Sequence, residues 1–435
     1  MTKIRFRPMF YITLVNIIGF LMLFIYSGAE HFTYMYACLT LCLINTAMYF
    51  ILYHLDYGDL YIFLTTSMLV SIGIIMLCRI DIALEAASSD GRTSDYAVRQ
   101  VLWFVVGIVT YFITVIVFGR IKFWGKLKYL YMFICFALFA VTLIFGTEVN
   151  GSKNWIIIGG FSIQPSELLK VFYCLCVSCF FSSLPPFDSA KKDKRKRILN
   201  IPADEIVLCI FVYACMGALA LFQKEWGTAL LLFMIYFAMC FVYKTSNLLK
   251  LINIGGILFV GIVGFFFLAD HIGVRVSAWQ DPWQDPSGGG YQIIQSLISI
   301  TSGGYFGTGL GNGMPTSVPF SQTDFIFAAI CEEMGMFTGF AVILLYFLIT
   351  YRGIKISLKS TNEYLKAACL SLVCAIGFQT FIIIGGVIKL IPLTGITLPF
   401  VSYGGSSMFV SFVMLGIITA VTFPDKKAQS RAKSN

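Results

Sequence analysis

The chain has 435 residues, of which 58% are hydrophobic and only 12% are charged, with a mean hydropathy of +0.84. A soluble globular domain carries roughly 25% charged residues, so this composition excludes a water-soluble fold and indicates a protein that spans the membrane several times. The net charge of +9 comes mostly from basic loops between apolar runs and does not imply a nucleic-acid partner.

Twelve apolar runs of about 20 residues, the length that crosses the hydrocarbon core, follow one another along the chain. Because the runs are continuously apolar and do not alternate, they predict helices and not the strands of a barrel. The predicted fold is therefore an all-α polytopic membrane protein with about twelve transmembrane helices. The runs lie near 9–27, 34–53, 60–79, 100–118, 129–146, 166–184, 205–223, 226–243, 250–269, 323–350, 366–390 and 404–423.

The basic residues divide unevenly between alternate loops. Lys3, Arg5 and Arg7 precede the first run, and the segments on their side of the membrane hold most of the 31 lysines and arginines. The positive-inside rule therefore predicts that both termini are cytoplasmic. The first run lacks a small-residue cleavage site and is predicted to be a retained span.

Three segments predicted to lie outside are long or unusual, namely 80–99, 147–165 and 271–322. The Pro, Gly and Trp content of 271–322 predicts an ordered but non-helical loop at the membrane surface. In its sequence "AWQDPWQDPSGGGYQ", Pro286 restricts Asp285 to an extended backbone, and the following glycines permit close approach of a ligand. Surface acids are ordinarily just solvated, so the loop geometry is what makes Asp285 a candidate.

Ionisable residues near the spans are further candidates, because charge is costly in a membrane. In "QPSELLK", Glu167 suits a helix N-terminus, but Lys170 lies one turn farther into the span on the same face. In "QKEWGT", Lys224 and Glu225 form either a simple hairpin turn or a polar re-entrant turn, and the sequence leaves both open.

Similar alternatives apply near the C-terminal spans. Asp324 is expected to cap the tenth span, whereas Glu332 and Glu333 lie more than two turns inside it, where one is expected to face a polar interior. Lys389 either extends to the interface or lines a site. The Pro and Gly residues of 392–405 predict a broken, re-entrant segment.

Together these residues predict an outward-facing cavity. Basic groups (Lys153, Lys170, Arg275 and Lys389) suit a lipid-linked phosphate or pyrophosphate, and a carboxylate beside them suits general base catalysis on a hydroxyl. The combination favours glycosyl transfer from a lipid pyrophosphate sugar, although a lipid transporter could use the same cavity. The three histidines are scattered, so no metal site is predicted from protein ligands.

Four long motifs resemble the SEDS family (shape, elongation, division and sporulation), typified by FtsW, RodA and SpoVE. They are "GSKNWIIIGGFSIQPSELLK", "DPWQDPSGGGYQIIQSLISITSGGYFGTGLGNG", "TDFIFAAICEEMG" and "PLTGITLPFVSYGGSSM". The resemblance covers 60–424 and implies a ten-helix core, to which 1–59 adds an N-terminal hairpin and 425–435 a basic cytoplasmic tail.

The resemblance implies a peptidoglycan glycosyltransferase of the bacterial cytoplasmic membrane that polymerises lipid II at the outer face. It implies a class B penicillin-binding protein and other divisome or elongasome membrane proteins as partners, and chemistry with or without a divalent cation (Mg²⁺ or Mn²⁺). Asp285 matches the essential loop aspartate, Glu167 and Lys170 match the QPSE–K pair, and Glu333 matches the second glutamate. A lipid II flippase and a non-catalytic scaffold for the transpeptidase remain alternatives.

Three positions depart from the family pattern. Asn154 stands where arginine is common, and Lys153 is a candidate to supply that charge. Glu225 replaces an aspartate in a motif that here lacks its proline, and Ile383 replaces an asparagine. These departures leave the choice among division, elongation and sporulation open.

Overall fold

A computed structural model describes residues 7–28, 32–55, 58–88, 94–120, 123–149, 151–159, 161–183, 197–198, 201–243, 245–256 and 269–422. The helices in these ranges are α1 Arg7–Tyr26, α2 Phe32–Leu55, α3 Leu60–Ala87, α4 Tyr96–Arg120, α5 Lys128–Phe145, α6 Pro165–Ser182, α7 Ala203–Gly217, α8 Trp226–Val242, α9 247–256, α10 Ala269–Gln280, α11 Tyr291–Gly303, α12 Ile326–Lys359, α13 Glu363–Val387 and α14 Gly405–Ala420. The short strands are β1 Thr147–Val149, β2 Ser152–Ile158, β3 Phe161–Ile163, β4 Arg197–Ile198 and β5 Ile201–Pro202.

The prediction of a polytopic helical membrane protein is confirmed. Among the described residues, nine helices are long and apolar enough to cross a membrane, and α8 and α14 are shorter apolar helices. These eleven correspond to eleven of the predicted runs. The remaining run, 250–269, begins within α9, and its central part, 257–268, lies outside the described residues.

The predicted outer segments contain more regular structure than expected. Segment 147–165 forms an antiparallel sheet in the order β1-β2-β3. The prediction that 271–322 is non-helical is wrong, because α10 and α11 occupy most of its first half. Helix α3 also continues past its predicted end at 79 to Ala87. Its Asp81 carboxylate accepts hydrogen bonds from the amides of Tyr96 and Ala97, which begin α4.

The most buried helices are α3, α6, α13 and α14. Close approach of helices in a membrane depends on small residues at their contacts. A Cβ on Gly353 would lie 2.3 Å from Val373, and one on Gly107 would lie 2.5 Å from Phe412, so α12–α13 and α4–α14 require glycine at these crossings. Helices α1 and α2 pack together and against α3 at the edge of this core.

The chain between α13 and α14 is irregular, as its prolines and glycines predict. Irregular backbone is tolerated at membrane depth only where its polar groups find partners. The carbonyls of Thr397, Pro399 and Ser402 accept hydrogen bonds from the side chains of Gln379, Tyr346 and Gln100, respectively. We call residues 388–404 the irregular segment; the site described below is arranged around it.

Candidate functional site

Asp285 lies in a tight loop between α10 and α11. Its Oδ2 atom accepts a 2.7 Å hydrogen bond from the amide of Gly289, and its carbonyl accepts one from Gly290. The side chain is nevertheless exposed. A Cβ on Gly288 would lie 2.2 Å from Asp285 Oδ2. Gly288 therefore allows the Asp285 carboxylate to pack closely against the backbone of its own loop.

Asp281 has a different local role in the same loop. It caps the 3-10 turn Pro282–Gln284 by accepting a hydrogen bond of 3.1 Å from the amide of Trp283. A Cβ on Gly290 would lie 2.0 Å from the carbonyl oxygen of Pro282, so the turn at Pro282 and the chain at Gly290 pack in direct backbone contact. Of the two repeated aspartates, Asp281 caps the turn, whereas the Asp285 carboxylate is held by the amide of Gly289.

Helix α10 connects the Asp285 loop to the irregular segment. Arg275 Nη1 donates to the carbonyls of Leu393 and Thr394 at 3.4 and 3.3 Å, and Trp279 Nε1 donates to the carbonyl of Lys389 at 3.2 Å. Arg275 and Trp279 are four residues apart, so both project from one face of the helix. The preceding residue, Val274, lies against Gly289 of the loop.

Asp324 is the acidic group near Arg275. It is partly buried immediately before α12, and burial raises its pKa to about 6, while the Arg275 guanidinium and the Thr323 hydroxyl oppose that rise. The predicted capping role is wrong, because the N-cap position of α12 is occupied by Phe325 and no side chain caps this helix. Asp324 instead faces the irregular segment, where its Oδ2 lies 3.6 Å from the position of a Cβ on Gly395.

Glu167 and Lys170 form a buried ion pair on α6 with an N–O distance of 2.7 Å. Lys170 is 2% exposed, and its ammonium group also donates to Gln379 Oε1 at 2.8 Å. Gln379 Nε2 in turn donates to the carbonyl of Thr397 at 2.8 Å. The pair is thus linked through one glutamine on α13 to the irregular segment.

Glu225 adds a second carboxylate to this region. Its Oε1 atom accepts hydrogen bonds from Gln164, Ser166 and Thr228 at 2.6–3.0 Å. Burial raises its pKa, and the Thr228 and Ser166 hydroxyls oppose that rise. Glu225 therefore joins the turn before α8 to the start of α6, although its motif departs from the family pattern.

Glu333 pairs with Arg79, which is not among the predicted site residues. Arg79 Nε lies 2.8 Å from Glu333 Oε1, and both side chains are almost fully buried. Glu332 and Glu333 both lie in a polar interior, where their carboxylates accept hydrogen bonds from the amides of Met314 and Gly311. An arginine at the end of an apolar run was the available signal for Arg79.

The predicted basic residues do not form one cluster. Arg275 donates to carbonyls of the irregular segment, and the Lys389 carbonyl in that segment accepts from Trp279. Lys170 is connected to the segment only through Gln379. Lys153 instead donates to the carbonyl of Leu143 at the end of α5. Within the described ranges, no three His, Cys, Asp or Glu side chains are grouped as a metal site.

Comparisons with known proteins give a consistent result. Residues 59–427 match the FtsW/RodA/SpoVE model, described as cell cycle protein. RodA of Mycobacterium tuberculosis, a peptidoglycan glycosyltransferase, is 34% identical over 84% of this chain and 78% of its own. Stage V sporulation protein E of Bacillus subtilis is also 34% identical, over 84% of this chain and 96% of its own, and a probable peptidoglycan glycosyltransferase FtsW of Pseudoalteromonas translucida is 32% identical over 84% and 90%.

Solved structures show the same fold. A chain from a study of polymerization and crosslinking by a peptidoglycan synthase complex aligns with a TM-score of 0.65 at 22% identity, covering 84% of this chain and 97% of that one. Crystalline RodA of Thermus thermophilus aligns with a TM-score of 0.56 at 23% identity, covering 84% and 96%. Helices α1 and α2 precede the region matched by the family model.

Proposed function

Because the chain belongs to the FtsW/RodA/SpoVE family and is a peptidoglycan glycosyltransferase, we propose that it polymerises lipid II with Asp285 as its catalytic base. The observation that carries this assignment is an exposed carboxylate held by its own loop at 2.7 Å from the Gly289 amide. A fixed, accessible base near an acceptor hydroxyl needs little reorganisation before proton transfer.

The proposed reaction transfers one proton and exchanges one glycosidic bond. Asp285 accepts the proton of the sugar 4-hydroxyl on the acceptor lipid II. The oxygen then attacks the anomeric carbon of the growing strand, and the bond from that carbon to undecaprenyl pyrophosphate breaks with inversion. The leaving group carries away the electron pair as pyrophosphate charge, so it needs neutralisation more than it needs a strong acid.

Arg275 is the proposed pyrophosphate contact. It is exposed on α10, the helix that leads into the Asp285 loop, and its two backbone hydrogen bonds use only Nη1. A guanidinium has five N–H donors and suits phosphate oxygens. Lys170 is buried between Glu167 and Gln379, and we therefore assign it a positioning role through the irregular segment.

The remaining predicted binding residues receive indirect roles. Glu333 orders the glycine-rich chain before α12, Lys389 supplies a backbone carbonyl to Trp279, and Lys153 braces the end of α5. Where a divalent cation is used, we propose that the exposed Asp285 carboxylate would hold it together with pyrophosphate oxygens, since Mg²⁺ is commonly held by one or two carboxylates and substrate phosphates. When bound, it would supply charge neutralisation to the leaving pyrophosphate.

The cellular setting is also part of the proposal. The chain is a multi-pass membrane protein, and its basic loops support the proposal that both termini are cytoplasmic and that Asp285 lies at the outer face. We propose a class B penicillin-binding protein as the transpeptidase partner, since a similar structure comes from a complex that couples polymerization to crosslinking. Divisome or elongasome membrane proteins are proposed as further contacts.

The test is strand synthesis from labelled lipid II by the purified protein with its partner. Asp285→Asn is expected to lower the rate by at least about 10²-fold, the lower range for general base catalysis. Asp281→Asn is the matched control, because it changes the same charge in the same loop and retains an oxygen that can cap Trp283. Near-normal polymer from Asp285→Asn would refute the assignment.

The same reconstitution distinguishes the other functions considered for this fold. A flippase moves labelled lipid II across the bilayer without making polymer. A scaffold does neither, and its outer acids and bases are dispensable. Movement without polymer, or neither activity, in the unaltered chain would contradict the proposed reaction.

A further inference from the structure

The ion pair between Arg79 and Glu333 clamps one glycine of a loop. Arg79 Nη2 donates to the carbonyls of Gly311 and Gly313 at 3.0 and 2.9 Å. Glu333 Oε2 accepts a hydrogen bond of 3.0 Å from the amide of Gly311. Arg79 on α3 therefore binds the carbonyl of Gly311, and Glu333 on α12 binds the amide of the same residue.

That stretch belongs to the glycine loop, which we define as residues 304–313. Helix α12 is interrupted at Gly335, whose φ of 85° leaves the helical region. The glycine loop fills the break, because the amides of Thr308 and Gly309 donate to the carbonyls of Glu332 and Glu333. On the other side of the break, the amides of Met336 and Phe337 donate to the loop carbonyls of residues 304 and 305. The loop and the interrupted helix are thus one hydrogen-bonded unit.

Tyr26 covers this unit from α1. The guanidinium carbon of Arg79 lies 5.0 Å from the centre of the Tyr26 ring, within the range of a cation–π contact. A Cβ on Gly311 would lie only 2.4 Å from the same ring. Tyr26 therefore contacts both the arginine and the clamped glycine, although α1 precedes residues 59–427, which match the family model.

Helix α11 connects the glycine loop to the Asp285 loop. It runs from Tyr291, shortly after Asp285, to Gly303, the residue immediately before the glycine loop. A helix of 13 residues is about 20 Å long, so it forms one regular element between the two loops. At its last residue, a Cβ on Gly303 would lie 2.1 Å from the carbonyl of Cys331, so this end of the helix is fixed closely to α12.

We propose that Tyr26 is a positioning residue for glycosyl transfer, and that the N-terminal hairpin acts on the site through it. The ring shields the Arg79 guanidinium and packs on Gly311, which keeps the glycine loop in the break of α12. That loop in turn fixes the C-terminal end of α11, whose other end carries the Asp285 loop. The catalytic consequence rests on the proposed function of Asp285, whereas the ordering of the glycine loop by Tyr26 does not.

The alternative role for the hairpin is attachment alone. Helix α1 also contacts α3 away from Tyr26, since a Cβ on Gly19 would lie 2.7 Å from the Ile75 side chain. If the hairpin only packs against α3, removing the Tyr26 ring should not alter the glycine loop. Tyr26 is 47% exposed, so its truncation leaves no large buried cavity and little general loss of stability is expected.

The experiment compares Tyr26→Ala with Tyr26→Phe and Tyr11→Ala in the full-length protein. Phenylalanine keeps an aromatic face for Arg79, and Tyr11 is an equally large, 61% exposed residue of the same helix. Hydrogen–deuterium exchange is measured over 304–313, and polymer synthesis is measured with the partner present. Tyr26→Ala is expected to raise exchange in that segment and to lower the rate about tenfold, the scale of a lost cation–π contact. Its Tm should stay near that of the unaltered protein.

Both controls are expected to match the unaltered protein in exchange and in rate. Unchanged exchange over 304–313 in Tyr26→Ala, or an equal increase in Tyr11→Ala, would overturn the inference. The exchange measurement needs no substrate, so it tests the ordering of the glycine loop by Tyr26 even if polymer synthesis contradicts the role of Asp285. Raised exchange with an unchanged rate would also reject the positioning role.

Discussion

The ammonium group of Lys170 lies 2.7 Å from the carboxylate of Glu167 and 2.8 Å from the side-chain oxygen of Gln379. All three side chains are buried, so the two charged groups are removed from water. They interact with each other instead, and the ammonium group also interacts with the Gln379 amide. Gln379 uses its nitrogen to hold the Thr397 carbonyl. The ion pair thereby determines the orientation of a glutamine that supports the irregular segment.

Removing one charge of this pair should be more harmful than removing both. Glu167→Gln leaves a buried ammonium without its counter-charge, a change that typically costs about 3–5 kcal/mol. The double variant Glu167→Gln/Lys170→Met has no charge left to desolvate. We expect a large fall in Tm for the single variant and a smaller one for the double variant, measured by thermal unfolding in detergent.

The control is a second i,i+3 pair that is more exposed. Lys366 and Glu363 are 3.9 Å apart, with side chains 33% and 56% exposed. Exposed pairs contribute about 0–1 kcal/mol, so Glu363→Gln should change Tm little. A double variant no more stable than Glu167→Gln would show that Lys170 is not destabilised by losing its partner.

The apolar spans could be predicted from the sequence because membrane-crossing helices depend on local composition. The pair Glu167–Lys170 could also be placed together, since three residues on a helix bring side chains onto one face. Its third partner could not, because Gln379 lies 209 residues from Lys170 and its contact depends on how α13 packs against α6. Contacts of this kind require the assembled bundle.

Other omissions had a signal in the sequence. The apolar residues of "YQIIQSLISITSG" have helical spacing and are followed by Gly304, which would have predicted α11. The run 60–79 ends at Arg79, and Asp81 follows it at the start of the segment predicted to lie outside. Here each is buried by partners distant in sequence, Arg79 by Glu333 and Asp81 by the start of α4. The effect of Tyr26 on that arginine has no local sequence signal.

The geometry of the Asp285 loop should be sensitive to one methyl group. Gly288 does not have a left-handed backbone, yet its Cβ would lie 2.2 Å from Asp285 Oδ2. In Gly288→Ala the carboxylate must therefore move and lose its hydrogen bond to Gly289. We expect at least about a tenfold loss of polymer synthesis with little change in Tm, because a small displacement of a catalytic group is costly.

Gly273→Ala is the comparison for that change. Gly273 lies in α10, and a Cβ there would meet no atom within 4 Å, so the variant should be neutral or slightly stabilising. Equal activity of Gly288→Ala and Gly273→Ala would indicate that the carboxylate position seen here is not the one used in the reaction.

Asp324 should make stability depend on pH in a defined direction. Burial raises its pKa to about 6 from an ordinary value of 3.8, so the folded protein holds this proton more tightly than the unfolded chain does. The stability that the protonated Asp324 carboxyl contributes is fully present below the pKa of the unfolded chain and is lost as pH rises through about 6.

The variant Asp324→Asn has a side chain of the same shape that does not titrate. Its Tm minus that of the unaltered protein should therefore increase between pH 4.5 and pH 7, when the two are scanned under the same conditions. A constant difference would show that folding does not shift the pKa of Asp324, and a decreasing one would show that the fold favours the ionised carboxylate, with Arg275 outweighing burial. Because only the difference between two variants is used, titration of the other carboxylates cancels to first order.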